Sequence, residues 1–181
     1  MVSPGVKVAL VPGVLALLPA YAGRVDPVAE LRAAALAAVE WLGLDVQVVA
    51  DAQGLRVAEA LGVSPGLDDA RRQGSSPLGQ RRGGSVLVVA NGSARRSEKA
   101  PGHLDERAAA FDAELEKALR AGDVEALRGL DRGLSTELMV GNPDGLAGLG
   151  DLIVPGVGAE VDYADDPFGV QYWVMRWSSP A

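Results

Sequence analysis

The sequence predicts an α/β domain: a central, mainly parallel sheet flanked by helices and closed by a C-terminal β-hairpin. Two observations carry this. Three short valine-rich runs, Val6 to Val11, Asp45 to Ala50 and Ser85 to Ala90, alternate with helical patterns, and runs of four to eight apolar residues are what strands buried on both faces look like. The C-terminal segment instead carries two aromatic-rich stretches, AEVDY (Ala159 to Tyr163) and VQYWVMRW (Val170 to Trp177), separated by turn residues 164–169. At 181 residues the chain is read as one domain, 1–181.

Taken in order, Val6 to Val11 is the first strand. The longer run Val6 to Gly23 imitates a secretory leader, with Lys7 near its start and Ala20-Tyr21-Ala22 resembling a cleavage site, but Pro12 and Gly13 interrupt it and the positive charge is slight. A strand followed by an apolar loop is the expectation, and the expected compartment is the cytoplasm. A helix follows, with Asp26 as N-cap, Pro27 in its first turn, Val28, Leu31, Ala35, Val39 and Leu42 at helical spacing, and Gly43 as its end. Asp45 to Ala50 is the second parallel strand, and a short helix from Leu55 to Leu61 comes next. Residues 63–84, rich in Gly, Pro, Ser, Gln and Arg, read as a mobile loop.

After the third strand the chain predicts a helix over Asp105 to Ala121, two short helices in 123–139 with the second beginning after Asp131, and a small-residue helix after the turn Gly141 to Gly145. The terminal hairpin holds Tyr163, Phe168, Tyr172, Trp173 and Trp177. It is expected to be a lid on the core or a homo-oligomer contact, the latter broken by changes at Trp173 or Trp177.

Composition excludes several functions. The net charge of −7 and a pI near 4.7 argue against nucleic acid or an anionic membrane surface as partner. No run reaches the roughly 18 to 20 apolar residues of a membrane span. Without cysteine, and with His103 as the only histidine, the chain has no thiolate ligand and no pair of imidazoles. No metal and no cofactor are therefore assigned.

The densest chemistry lies in NGSARRSEKAPGHLDERAAAFD, Asn91 to Asp112, which follows the third strand. Ligands in open α/β sheets bind beyond the carboxyl ends of the strands, so this loop is well placed. Asn91 and Ser93 resemble a turn whose N–H groups face an anion, and Arg95, Arg96, Lys99 and Arg107 supply positive charge for a small anionic or polar ligand. His103 and Asp105 are the catalytic candidates, because an imidazole oriented by a carboxylate transfers protons near neutral pH. No nucleophile setting accompanies them: Ser93 and Ser97 lack a G-x-S-x-G context.

The succession of NGSARRSEKAPGHLDERAAAFD, ALRAGDVEALRGLDRGLSTELM and AEVDYADDPFGVQYWVMRW resembles the B-subunit-like family of class III extradiol ring-cleavage dioxygenases, in its actinobacterial type. The likeness is specific over Val86 to Trp177 and weaker over the first sixty residues. It implies that family's α/β fold and, in catalytic members, an Fe(II) held by two histidines and a glutamate with a further histidine as acid/base. The family's C-P-H-P-P loop falls on Val11 to Leu15, placing the metal histidine at Gly13. The loop after the second strand reads Asp51-Ala52-Gln53-Gly54, and the loop that would carry the catalytic histidine reads Asn91 to Arg95, neither with an imidazole. The resulting expectation is a degenerate member acting without catalysis, through ligand binding or protein contacts. The alternatives are changed chemistry at Arg95, Arg96, His103 and Asp105, or residual extradiol-type dioxygenase activity.

Overall fold

The first apolar run does form a strand, β1 (Lys7–Val11), and it lies at the centre of the sheet. The computed structural model describes residues 5–63 and 84–179. The loop expected over 63–84 therefore lies outside the described residues except for its two end positions. Among the described residues the sheet has five strands, with β2 (Val46–Val49), β3 (Ser85–Val89), β4 (Glu160–Asp165) and β5 (Tyr172–Ser178) arranged in the order β2-β3-β1-β5-β4. β1, β2 and β3 are parallel, Lys7 standing opposite Ser85 and Val11 opposite Val89. β5 runs antiparallel to β1, pairing Val8 with Trp177, and β4 completes the hairpin at the edge. The sheet is thus mixed, with three parallel strands and an antiparallel pair.

Alternation along the central strands builds two cores. Val8, Leu10, Val86 and Val88 point to one face with Trp173, Met175 and Trp177; Ala9, Val11, Leu87 and Val89 point to the other with Tyr172 and Val174. Burial on both faces is why these strands read as continuous apolar runs rather than as an alternation. Each large side chain fully removed from water here contributes about 1.5 to 3 kcal/mol.

Helices α1 (Ala29–Leu42) and α2 (Ala52–Ala60) cover the second core. Asp26 does not cap α1 directly. Its carboxylate accepts from the Val28 N–H at 3.0 Å and pairs with Arg32 at 2.7 Å, closing a turn that delays the helix to Ala29. α2 begins three residues before the expected Leu55, because Asp51 caps it by accepting from the Gly54 N–H at 2.7 Å.

The opposite face is covered by α3 (Arg107–Ala121), α4 (Val124–Arg128), α5 (Arg132–Glu137) and α6 (Pro143–Leu152). α3 starts two residues late, since Asp105 folds back onto the Arg107 N–H, and it stops at Gly122, whose φ of 63° suits a residue without Cβ. Asp123, Asp131 and Asn142 cap the next three helices through their side chains.

The hairpin is present, shifted by one or two residues from the expected bounds. Three of its rings are core residues, with Tyr172 3% exposed, Trp173 0% and Trp177 2%, whereas Tyr163 is half-buried and Phe168 exposed. An oligomer formed through the hairpin would have to use its outer edge or its turn rather than Trp173 or Trp177. No helix among the described residues is long and apolar enough to cross a membrane.

Candidate functional site

The loops leaving β1, β2 and β3 meet at the carboxyl end of the parallel strands. Pro12 and Gly13 are buried there, and the Gln53 side-chain amide donates to the Gly13 carbonyl. A side chain at position 13 would begin 3.8 Å from the Asn91 Oδ1, 3.8 Å from the Gly54 Cα and 3.5 Å from Val89. Asn91 exchanges backbone hydrogen bonds with Gly141 at 3.1 Å in both directions, and its carboxamide lies so close to Gly141 that a Cβ on that residue would collide with it. Asn142, in the left-handed region at φ 55°, caps α6 and donates from its side chain to the Val89 carbonyl at 2.9 Å.

These residues do not fit an Fe(II) facial triad, which requires imidazole and carboxylate donors with free lone pairs. Gly13 has no side chain, Gln53 is an amide whose N–H donates to the Gly13 carbonyl, and Asp51, whose Oδ1 caps α2, is the lone carboxylate among them with no imidazole beside it. His103 is exposed, in the left-handed region at φ 57°, with Nδ1 3.2 Å from the Glu98 carbonyl oxygen. Among the described residues no group of three His, Asp or Glu side chains is placed to hold a metal ion.

The charged loop is organised around a residue that the sequence pattern places only among the acids of α3. Asp112 is 1% exposed and accepts the Ser93 N–H at 2.9 Å, the Ser93 hydroxyl at 2.6 Å and the Arg96 Nη1 at 3.2 Å. Arg96 reaches onward with its Nε to Asp166 at 2.6 Å, in the hairpin connection, while its backbone N–H donates to the Gly169 carbonyl at 3.0 Å. Ser93 is 0% exposed, and its carbonyl accepts from the Gln171 N–H at 3.0 Å. Burial pushes the Asp112 carboxyl above the ordinary carboxylate range, against the opposing pull of Ser93 and Arg96.

The other candidates go elsewhere. Arg95 donates from Nη1 to the Glu137 carbonyl at 3.0 Å, at the C-terminal end of α5, where cations are favoured. Arg107 pairs with Asp105 at 2.8 Å and with the Glu137 carboxylate at 2.8 Å, and its hydrogen bonds hold Asp105 down at about 2. Lys99 is exposed. Arg95 and Arg107 thus converge on Glu137, whereas Arg96 turns to Asp112 and Asp166, so the three arginines do not line one cleft. Asp105 is bound to Arg107 and His103 to the loop backbone, so the two do not pair.

Sequence reasoning misses Asp112 and Asp166 as organising residues. Asp112 carries a readable signal: it falls on the same helical stripe as Ala108, Leu115 and Leu119, where a lone charge needs internal partners. Asp166 carries none. Comparison of the chain with protein-family models gives no match, and comparison with curated proteins gives none either. What the fold and the site define is a class: an α/β protein with a mixed five-stranded sheet whose carboxyl-end loops are fastened to one another by internal hydrogen bonds.

Proposed function

We propose that the chain is a non-catalytic interaction protein on a fold like that of the extradiol dioxygenase B subunits. The reading rests on the order of its motifs and on one observation: the positions where that resemblance asks for imidazoles, Gly13, Gln53 and Asn91, come together in space as a glycine and two amides. Amides and glycine bind and pack; they do not hold a redox iron.

The recognition face is the outer side of the β3–α3 loop and its neighbours. Leu104 and Met139 are 49% and 48% exposed there. Met139 is held at φ 56° and His103 at φ 57°, and a Cβ on the adjacent Gly102 would strike both the Met139 sulfur and the Arg95 side chain. A methionine in the left-handed region stores strain, and strain of this kind concentrates at functional surfaces. An anionic ligand is the weaker reading, because Arg96 would have to leave two carboxylates to receive it.

Purified protein reconstituted with Fe(II) and offered catechols under oxygen is expected to yield no ring-cleavage product; stoichiometric iron accompanied by ring cleavage overturns the reading. Sedimentation at rising concentration is expected to show self-association that the double substitution Leu104→Asp, Met139→Asp removes. A strictly monomeric wild-type chain counts against this face.

A further inference from the structure

We propose that Asp112 is an acid-sensitive latch: its ionised carboxylate fastens Arg96, and with it the hairpin turn, to α3, and protonation releases that unit while Ser93 stays bound. The inference does not depend on the function proposed above.

The geometry brings three parts of the fold together around one carboxylate. Asp112 projects from α3 into the closed space beneath the loop, where Ser93 and Arg96 come from the β3–α3 loop and Asp166 and Gly169 come from the β4–β5 connection. The packing leaves no slack: a Cβ on Gly92 would stand 2.7 Å from the Asp112 Oδ1 and 2.9 Å from Trp173. Water therefore cannot substitute for a lost partner at Asp112, while Arg96, 22% exposed in its side chain, can turn to solvent.

The two Asp112 oxygens differ in what they hold among the described residues. Oδ1 accepts the Ser93 N–H alone, which a neutral carboxyl also satisfies. Oδ2 accepts both the Ser93 hydroxyl and Arg96. A proton on Oδ2 leaves the hydroxyl a partner, since Ser93 rotates from donor to acceptor, but it removes the charge that holds the guanidinium and places a donor against a donor. Arg96 then keeps only Asp166, and the two move as a pair away from α3.

Few other ionisable groups among the described residues face this carboxyl. Arg96 comes from the loop, and Asp166 reaches it only through Arg96. From its own helix Glu116 lies one turn on, turned to the Trp173 Nε1 at 3.0 Å. The neighbours contributed by β5 and its approach, Gln171 and Trp173, are neutral. Burial displaces the Asp112 carboxyl upward, so it takes up its proton at a higher pH than an exposed aspartate does.

The test is amide hydrogen exchange on the full chain, corrected for the intrinsic pH dependence of the chemistry. Between about pH 7 and about pH 4, amides of Ser97 to His103 and Asp166 to Gly169 are expected to exchange about tenfold faster, with α3 unchanged. Asp112→Asn should exchange fast in those segments at both pH values, and Asp166→Asn should keep the pH response. Unchanged wild-type exchange, or a response in Asp112→Asn equal to that of wild type, overturns the latch. Should Asp112→Asn not fold, carboxyl and guanidinium resonances decide on the wild-type chain: the Arg96 Nη1–H signal must shift together with the titration of Asp112, and an Nη1–H signal that stays still through that titration overturns the latch equally.

Discussion

The Ser93 hydroxyl donates to the Asp112 Oδ2 at 2.6 Å across a sequence separation of 19 residues, with both side chains sealed from solvent. This bond ties the end of β3 to the middle of α3, so the loop between them is fixed at its base rather than at its charged exterior. Removing either partner should therefore cost more than the surface ion pairs. Ser93→Ala is expected to lower stability by about 1 to 2 kcal/mol and Asp112→Ala by about 3 kcal/mol, the latter because it leaves Ser93 and Arg96 without their acceptor. Urea midpoints at unchanged m values check both. Arg107→Ala, on an exposed side chain, should cost less than either of these despite its two ion pairs.

Gly92 should tolerate no larger residue. Its Cβ would lie 2.7 Å from the Asp112 Oδ1 and 2.7 Å from the Gln171 Cβ, both held in place. Gly92→Ala is expected to destabilise by about 1 to 3 kcal/mol through overpacking. An unchanged melting temperature would show that this space is more yielding than the contacts indicate.

Trp173 serves as a core residue, so its loss should appear in stability and not in assembly. Trp173→Ala is expected to cost about 3 to 5 kcal/mol, while the sedimentation behaviour of the fraction that remains folded stays that of wild type. Loss of association with stability retained would restore an interface role.

The two aspartates tilt stability with pH in opposite directions. Asp105 is depressed to about 2 by its hydrogen bonds to Arg107, so its contribution is present above the ordinary carboxylate range and lost as pH falls from about 4 towards 2. Asp112 is raised by burial, so its contribution is complete below the unfolded value and declines as pH rises through the folded one. In thermal melts against pH, Asp105→Asn should flatten the acid limb. The stability of wild type relative to Asp112→Asn, which is neutral at every pH, should instead fall as pH rises from the acid range towards neutral.

Met139 holds its left-handed backbone at a cost. Met139→Gly is expected to stabilise the chain by about 0.5 to 1 kcal/mol, since glycine adopts this φ without the Cβ penalty and the lost side chain is half exposed. Chemical denaturation of the pair of proteins measures it. A destabilised variant would mean that the methionine packs usefully.

Much of the architecture is legible in the sequence because it depends on local chemistry. The runs around Val8, Val48 and Val88 show β1, β2 and β3 directly, the aromatic tail shows the hairpin, and the position of Asp131 marks the start of α5. The order of strands across the sheet is not legible, since nothing local says that β5 pairs with β1. The site is less readable for the same reason. Arg95 and Arg96 are adjacent in sequence, yet one turns to Glu137 and the other to Asp112 and Asp166, partners 42, 16 and 70 residues away. Charge density in the loop locates the right region. Only the packing decides which charges face inward.

The place of β1 between β3 and β5 has a consequence for biosynthesis. Val8 must pair with Val86 on one side and with Trp177 on the other, so β1, once outside the ribosome, has one edge open until β5 has also emerged. Throughout the interval between them the nascent chain carries an apolar ribbon without its neighbour, and any product cut short before Tyr172 keeps that edge exposed as a template for pairing with other chains.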